Sequence, residues 1–139
     1  MTWPPKRIPP EKIAELRKIA RQEGFDGKLE ITTTEKTHWD TDENVIYISE
    51  DSFIFGWDHV VYSLAHELSH WKQSKDPYYR KQWQSLVMAY EHNLPIPIAI
   101  EVDAEVRAYM LMRKWGFDVT MPSRPELIKR YTEFQHFES

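Results

Sequence analysis

The chain has 139 residues, of which 41% are hydrophobic and 14% aromatic, enough to bury the core of one compact domain. Eighteen Lys and Arg against 22 Asp and Glu leave a net charge of −4, and no basic run offsets it, which argues against a nucleic-acid partner. The absence of cysteine excludes disulfide frameworks, Cys-type zinc fingers, iron–sulfur sites and thiol nucleophiles together.

The opening, Met1-Thr2-Trp3-Pro4-Pro5-Lys6-Arg7-Ile8-Pro9-Pro10, reads as a Pro-rich arm over residues 1–10. It lacks the apolar stretch of a signal peptide, and no later segment is long enough to span a bilayer. A cytoplasmic protein with no membrane partner is the expectation. Ile13, Leu16, Ile19 and Ala20 recur at helical spacing over 11–23, and Gly24 is a natural stop. Residues 28–34 have β-branched, alternating character. Val45-Ile46-Tyr47-Ile48-Ser49 is the strongest strand signal, and the polar run 37–44 between them predicts a hairpin turn.

Asp58 is placed to cap a helix running to about Gln73, with Val60, Val61, Leu64, Leu68 and Trp71 on its apolar side. Asp76-Pro77 breaks that helix, and 78–90 suggests another. Asn93-Leu94-Pro95-Ile96-Pro97 reads as a loop. A further helix is expected over 98–115, closed by Gly116, and a last one over about 126–137. Several helices and few strands, without βαβ alternation, predict an α+β fold.

The expected helix at 58–73 contains His66-Glu67-Leu68-Ser69-His70, an H-E-x-x-H motif. Histidines four apart lie on one helical face, separated by about 6 Å of rise, so both imidazoles can converge on one tetrahedral zinc ion. Glu67, about 100° around the helix, is then positioned to act as general base toward a metal-bound water. A hydrolytic zinc has three protein ligands and one open position, so a third ligand is needed from another element. Glu101, Ala104, Glu105 and Ala108 share one face of the expected 98–115 helix. Small residues there allow close approach, and either carboxylate can then touch the metal. The bland reading of that segment is an exposed helix with Asp103–Arg107 and Glu101–Glu105 neighbours at i,i+4, the second pair like-charged and unfavourable without a nearby cation.

His66-Glu67-Leu68-Ser69-His70 followed by Glu101-x-x-Ala104-Glu105-x-x-Ala108 resembles the gluzincin clan of zinc metallopeptidases. The small size is similar to the minigluzincins, and the second motif resembles that of HtpX-like and ImmA/IrrE-type peptidases. One domain over 1–139, with a C-terminal helix at 122–139, is the expectation; the resemblance spans roughly residues 28–116, as a catalytic core, and leaves the end segments unmatched. It implies a small, mostly antiparallel sheet packed on the H-E-x-x-H helix and a glutamate helix, with additional end helices. It implies one Zn²⁺ per chain held by His66, His70 and Glu101, with Glu67 as general base in peptide-bond hydrolysis. Glu105 stands where the family has an aspartate that supports the first histidine through a hydrogen bond, and is one methylene longer.

A strand such as Val45–Ser49 would align an extended protein or peptide substrate through main-chain hydrogen bonds. Tyr109, Tyr131, His92 and His136 are the available oxyanion donors. His92 is also an alternative third ligand, which would make a three-His site similar to SprT-like peptidases. Members of the small families are often latent, and the Pro-rich arm and the Phe134-Gln135-His136-Phe137 tail are candidates to fill a cleft. A non-catalytic metal-bound regulatory or interaction domain, and a metal-free helical adaptor, are the competing readings. A monomer or weak dimer is expected. His59, seven residues before His66, is about 10 Å along the axis and reads as a capping or surface residue. Asp40-Thr41-Asp42-Glu43-Asn44 starts like a calcium loop but has Val45 where Gly is required, and reads as a polar turn. Trp57, Trp71, Trp83 and Trp115 read as core or groove lining.

Overall fold

The computed structural model describes residues 8–92 and 97–138, with only the backbone for Tyr90 and 134–138. The fold is α+β, as the sequence predicts: five helices and a three-stranded sheet among the described residues. In chain order these are α1 (Pro10–Gln22), β1 (Lys28–Thr32), β2 (His38–Asp40), β3 (Val45–Ser49), α2 (Trp57–Lys75), α3 (Arg80–His92), α4 (Ile98–Lys114) and α5 (Arg124–Glu138). The chain forms two compact units, Met1–Leu68 and Ser69–Ser139, divided within α2. Among the described residues no helix is long and apolar enough to cross a membrane.

In the first unit, Pro9 and Pro10 open α1, since a first-turn proline gives up an N–H that has no helical acceptor anyway. The helix ends where Gly24, at φ 88°, lets Phe25 N–H reach back to Ala20 O at 3.0 Å. Leu16 and Ala20 are buried, and Arg17 Nε donates to Leu29 O at 3.2 Å, tying α1 to β1.

The sheet departs from the expected mostly antiparallel arrangement. Its order is β1-β3-β2, with β1 parallel to β3 over five residue pairs and β2 antiparallel to β3 over three. The reason lies in β3, where Val45, Ile46 and Ile48 are all buried. So apolar a run is best satisfied in the middle, covered on both sides. The chain therefore lays β2 beyond β3 and turns back through 41–44. Asp40 Oδ1 accepts from the N–H groups of Asp42 and Glu43, both at 3.0 Å, so the acidic run is the expected polar turn. Asn44 takes the left-handed conformation (φ 56°), while its amide accepts from Trp39 Nε1 at 3.0 Å and donates to Asp26 Oδ1 at 2.9 Å. A Cβ on Gly27 would strike the Asn44 carbonyl, so the chain entering β1 requires glycine there. Because β3 is the central strand, it is not the edge that an extended peptide would join; the outer strands are β1 and β2.

A 3-10 turn over Glu50–Phe55, unforeseen in the sequence, follows β3 and ends at Gly56 with φ 100°. Val60 N–H bonds Gly56 O at 3.3 Å, so α2 starts at Trp57 and Asp58 lies in its first turn rather than capping it. A carboxylate there still complements the helix dipole. Val60, Val61, Leu64, Ala65 and Leu68 are fully buried.

The second unit is helical. Asp76 ends α2 by donating its N–H to Gln73 O at 3.1 Å. It then organises the following turn, its side chain accepting from Tyr78 N–H at 3.0 Å and its carbonyl from Arg80 N–H at 2.9 Å. That turn delays α3 to Arg80. Helix α4 closes as α1 does, with Gly116 at φ 93° and Phe117 N–H on Met112 O at 2.9 Å. Ser123 caps α5, its Oγ accepting from Glu126 N–H at 3.3 Å, which moves the start to Arg124. Helix α4 packs against both α3 and α5. Ile100, Val102, Ala104, Ala108, Met112 and Leu127 are all buried.

Candidate metal centre

Helix α2 runs unbroken through His66-Glu67-Leu68-Ser69-His70, so the two histidines sit one turn apart on one face. Leu64, Ala65, Leu68 and Ser69 around them are completely buried, which holds this stretch of helix rigidly. His70 is buried and His66 half-buried. On α4, Glu101, Ala104, Glu105 and Ala108 are buried together, the two acids at 5% and 3% exposure. The exposed-helix reading of that segment therefore fails at this face, although its Asp103–Arg107 pair does form, at 2.6 Å.

One ligand atom from each of His66, His70 and Glu101 lies within 4.8 Å of the other two. His70 Nε2 is 3.1 Å from Glu101 Oε1. A carboxylate oxygen offers only lone pairs, so this contact is satisfied either by a hydrogen on Nε2 or by a cation held between the two atoms. The set also fits the chemistry of such an ion. Two imidazoles and one carboxylate, with no thiolate, suit a borderline divalent cation, and three protein donors leave a coordination position open. The cluster can hold a metal ion.

The other residues singled out from the sequence are distributed as follows. Glu67 is buried, at 7% exposure. Glu105 Oε1 accepts a 2.8 Å hydrogen bond from the Tyr131 hydroxyl, joining α4 to α5. Tyr109 is half-buried on α4. His92 is exposed at the last position of α3, and the three-donor cluster contains Glu101 in its place. The side chains of Phe134, His136 and Phe137, like the arm at 1–7, lie outside the described residues. His59 is exposed, with its ring 5.2 Å from that of Phe55 and 6.5 Å from that of Tyr62. Trp71 is buried; Trp57, Trp83 and Trp115 are half-buried.

The sequence reading missed a polar network behind His70. His70 Nδ1 is 2.9 Å from Gln73 Oε1, while Gln73 Nε2 donates to Ile100 O at 3.0 Å and to Asp103 Oδ2 at 2.8 Å. Arg107 Nε donates to Asp103 Oδ2 at 2.6 Å, and its terminal nitrogen is 3.3 Å from Asp76 Oδ2. Burial opposes the Arg107 charge, but Asp103 and Asp76 outweigh it and raise its pKa above the ordinary value. The pKa of Tyr79 is also raised, first by burial and then by its hydrogen bond to Asp103. The i,i+3 spacing of His70 and Gln73 was the available signal.

Comparison of the chain with models of known protein families, with curated proteins and with solved structures finds no match in any of the three.

Proposed function

We propose that this chain is a gluzincin-like zinc metallopeptidase, holding one Zn²⁺ through His66, His70 and Glu101 and cleaving protein or peptide substrates. The observation that carries this reading is the convergence of those three donors, together with the position of Glu67 directly after His66 on α2. Two imidazoles and a carboxylate leave a total positive charge on a zinc complex, which favours polarising a neutral amide. When bound, zinc supplies Lewis acidity, lowering the pKa of water toward neutrality and polarising the scissile carbonyl.

The chain's own residues do the rest. Glu67 takes the proton of the attacking water and later delivers it to the leaving amine. Its burial within α2 limits the positions its carboxylate can sample, which favours directed proton transfer. With β3 enclosed, the main-chain groups that would hold an extended peptide are those of an outer strand, β1 or β2.

Metal analysis of protein purified without chelator, paired with cleavage of an unstructured protein substrate, tests the reading. The wild type is expected to carry one zinc per chain, and Glu101→Ala and His66→Ala to carry far less. Glu67→Gln should retain zinc while losing cleavage by about 10²–10⁴-fold. Stoichiometric zinc with no cleavage would support a metal-bound interaction domain instead, and wild-type cleavage by Glu67→Gln would defeat the mechanism.

A further inference from the structure

Gln73 is completely buried, one turn beyond His70 on α2. Its amide is oriented from the far side. Nε2 faces the Ile100 carbonyl and the Asp103 carboxylate at 3.0 and 2.8 Å, neither of which can donate. Reversing the amide would set Oε1 against both oxygens, so the end facing His70 Nδ1 at 2.9 Å is the acceptor. Nδ1 must then carry the hydrogen. In a neutral imidazole that leaves the lone pair on Nε2, the atom 3.1 Å from Glu101 Oε1.

Asp103 is itself held. Arg107 Nε grips the same oxygen that receives Gln73, and Asp76 takes the other end of the guanidinium at 3.3 Å. Every bond in the row Arg107–Asp103–Gln73–His70 therefore has one direction. We infer that Gln73, oriented by Asp103 and Arg107, is a positioning residue that locks His70 in its Nδ1–H form and keeps Nε2 aimed at the metal. This inference rests on the metal-centre reading. An amide takes the place beside a metal-binding histidine where a carboxylate or backbone carbonyl is the usual acceptor, with the negative charge displaced one residue outward onto Asp103.

The test measures zinc affinity of the full chain by competition with a chromophoric chelator, with circular dichroism of the zinc-free protein as a control for folding. Gln73→Met should bind zinc about 10–100-fold more weakly than wild type. Gln73→Glu should also bind weakly, because its carboxylate then faces two acceptors. Adding Asp103→Asn to Gln73→Glu returns a donor to that contact and should recover most of the loss. A merely structural role for Gln73 would not produce that exchange. In the zinc-loaded wild type, the Nδ1 proton of His70 should be visible by imidazole NMR and slow to exchange, and it should exchange faster in Gln73→Met.

Zinc affinity in folded Gln73→Met equal to wild type would overturn the inference, as would a double variant no tighter than Gln73→Glu. Should Gln73→Met not fold, the single variant Asp103→Asn at a partly exposed position serves in its place. Its expected loss is about tenfold, and an unchanged affinity overturns the inference. A wild-type chain that binds no zinc defeats the metal reading itself and this inference with it, whereas tight wild-type binding with an indifferent Gln73 defeats the inference alone.

Discussion

The sheet-bearing and helical units handle polarity in opposite ways. In the first, the buried side chains are chiefly Leu, Ile and Val, and the polar bonds of Asp40 and Asn44 lie at an exposed turn. In the second, His70, Gln73, Glu101 and Glu105 are all buried. Burying such groups is costly unless each meets a partner of matching chemistry. An apolar core needs only shape, so the sheet and α1 read as scaffold, while the first unit's own buried acid, Glu67, falls at its very end in the H-E-x-x-H stretch. The helical unit has kept groups that stability alone would replace, and every one of them lies in or behind the metal cluster or on the Glu105–Tyr131 contact.

That contrast makes predictions that separate packing from chemistry. The largest effect is expected in the sheet: Ile46→Ala, on the central strand, should cost about 2–5 kcal/mol in urea unfolding, equally with and without zinc. Next, zinc at a hundredfold excess over its dissociation constant should stabilise the wild type by about 2.7 kcal/mol. That increment should vanish in Glu101→Ala, read as a thermal shift with and without chelator. Equal zinc stabilisation in that variant would erase the distinction between the units.

Smaller effects sharpen the comparison. Tyr131→Phe removes the hydroxyl that donates to Glu105 and should cost about 1–3 kcal/mol of stability while leaving zinc stoichiometry unchanged. The smallest is a pH effect at Tyr79. Its raised pKa means that the folded state prefers the neutral phenol. The stabilisation is therefore fully present below the ordinary value of 10.0 and is lost as pH rises through the higher folded value. The stability difference between wild type and Tyr79→Phe should hold up to about pH 10 and shrink above it in urea titrations.

The helices were legible because their signals are local. The apolar spacing of Leu64, Leu68 and Trp71 and the stops at Gly24 and Gly116 belong to single segments of chain. The start of α2 was misplaced because a glycine turn, not the Asp58 side chain, sets it. Sheet topology was not legible in the same way. Residues 28–34 and 45–49 read as strands, but no local pattern says that a third, three-residue strand lies beyond β3 and leaves β1 parallel to it. The His66–His70–Glu101 cluster, which could hold a metal ion, was readable because i,i+4 histidines and the Glu101 face are periodic. Gln73 escaped notice because its importance depends on Ile100 and Asp103, 27 and 30 residues away.

Gly27 has a consequence for how the chain finds its proper alignment. Its missing methyl group is what permits the strand that follows to begin alongside the Asn44 carbonyl. Sliding that strand by one position either way would present Asp26 or Lys28 to the same oxygen, and each carries the carbon that does not fit. A single absent atom thus favours the five-pair β1–β3 register over frames displaced by one residue.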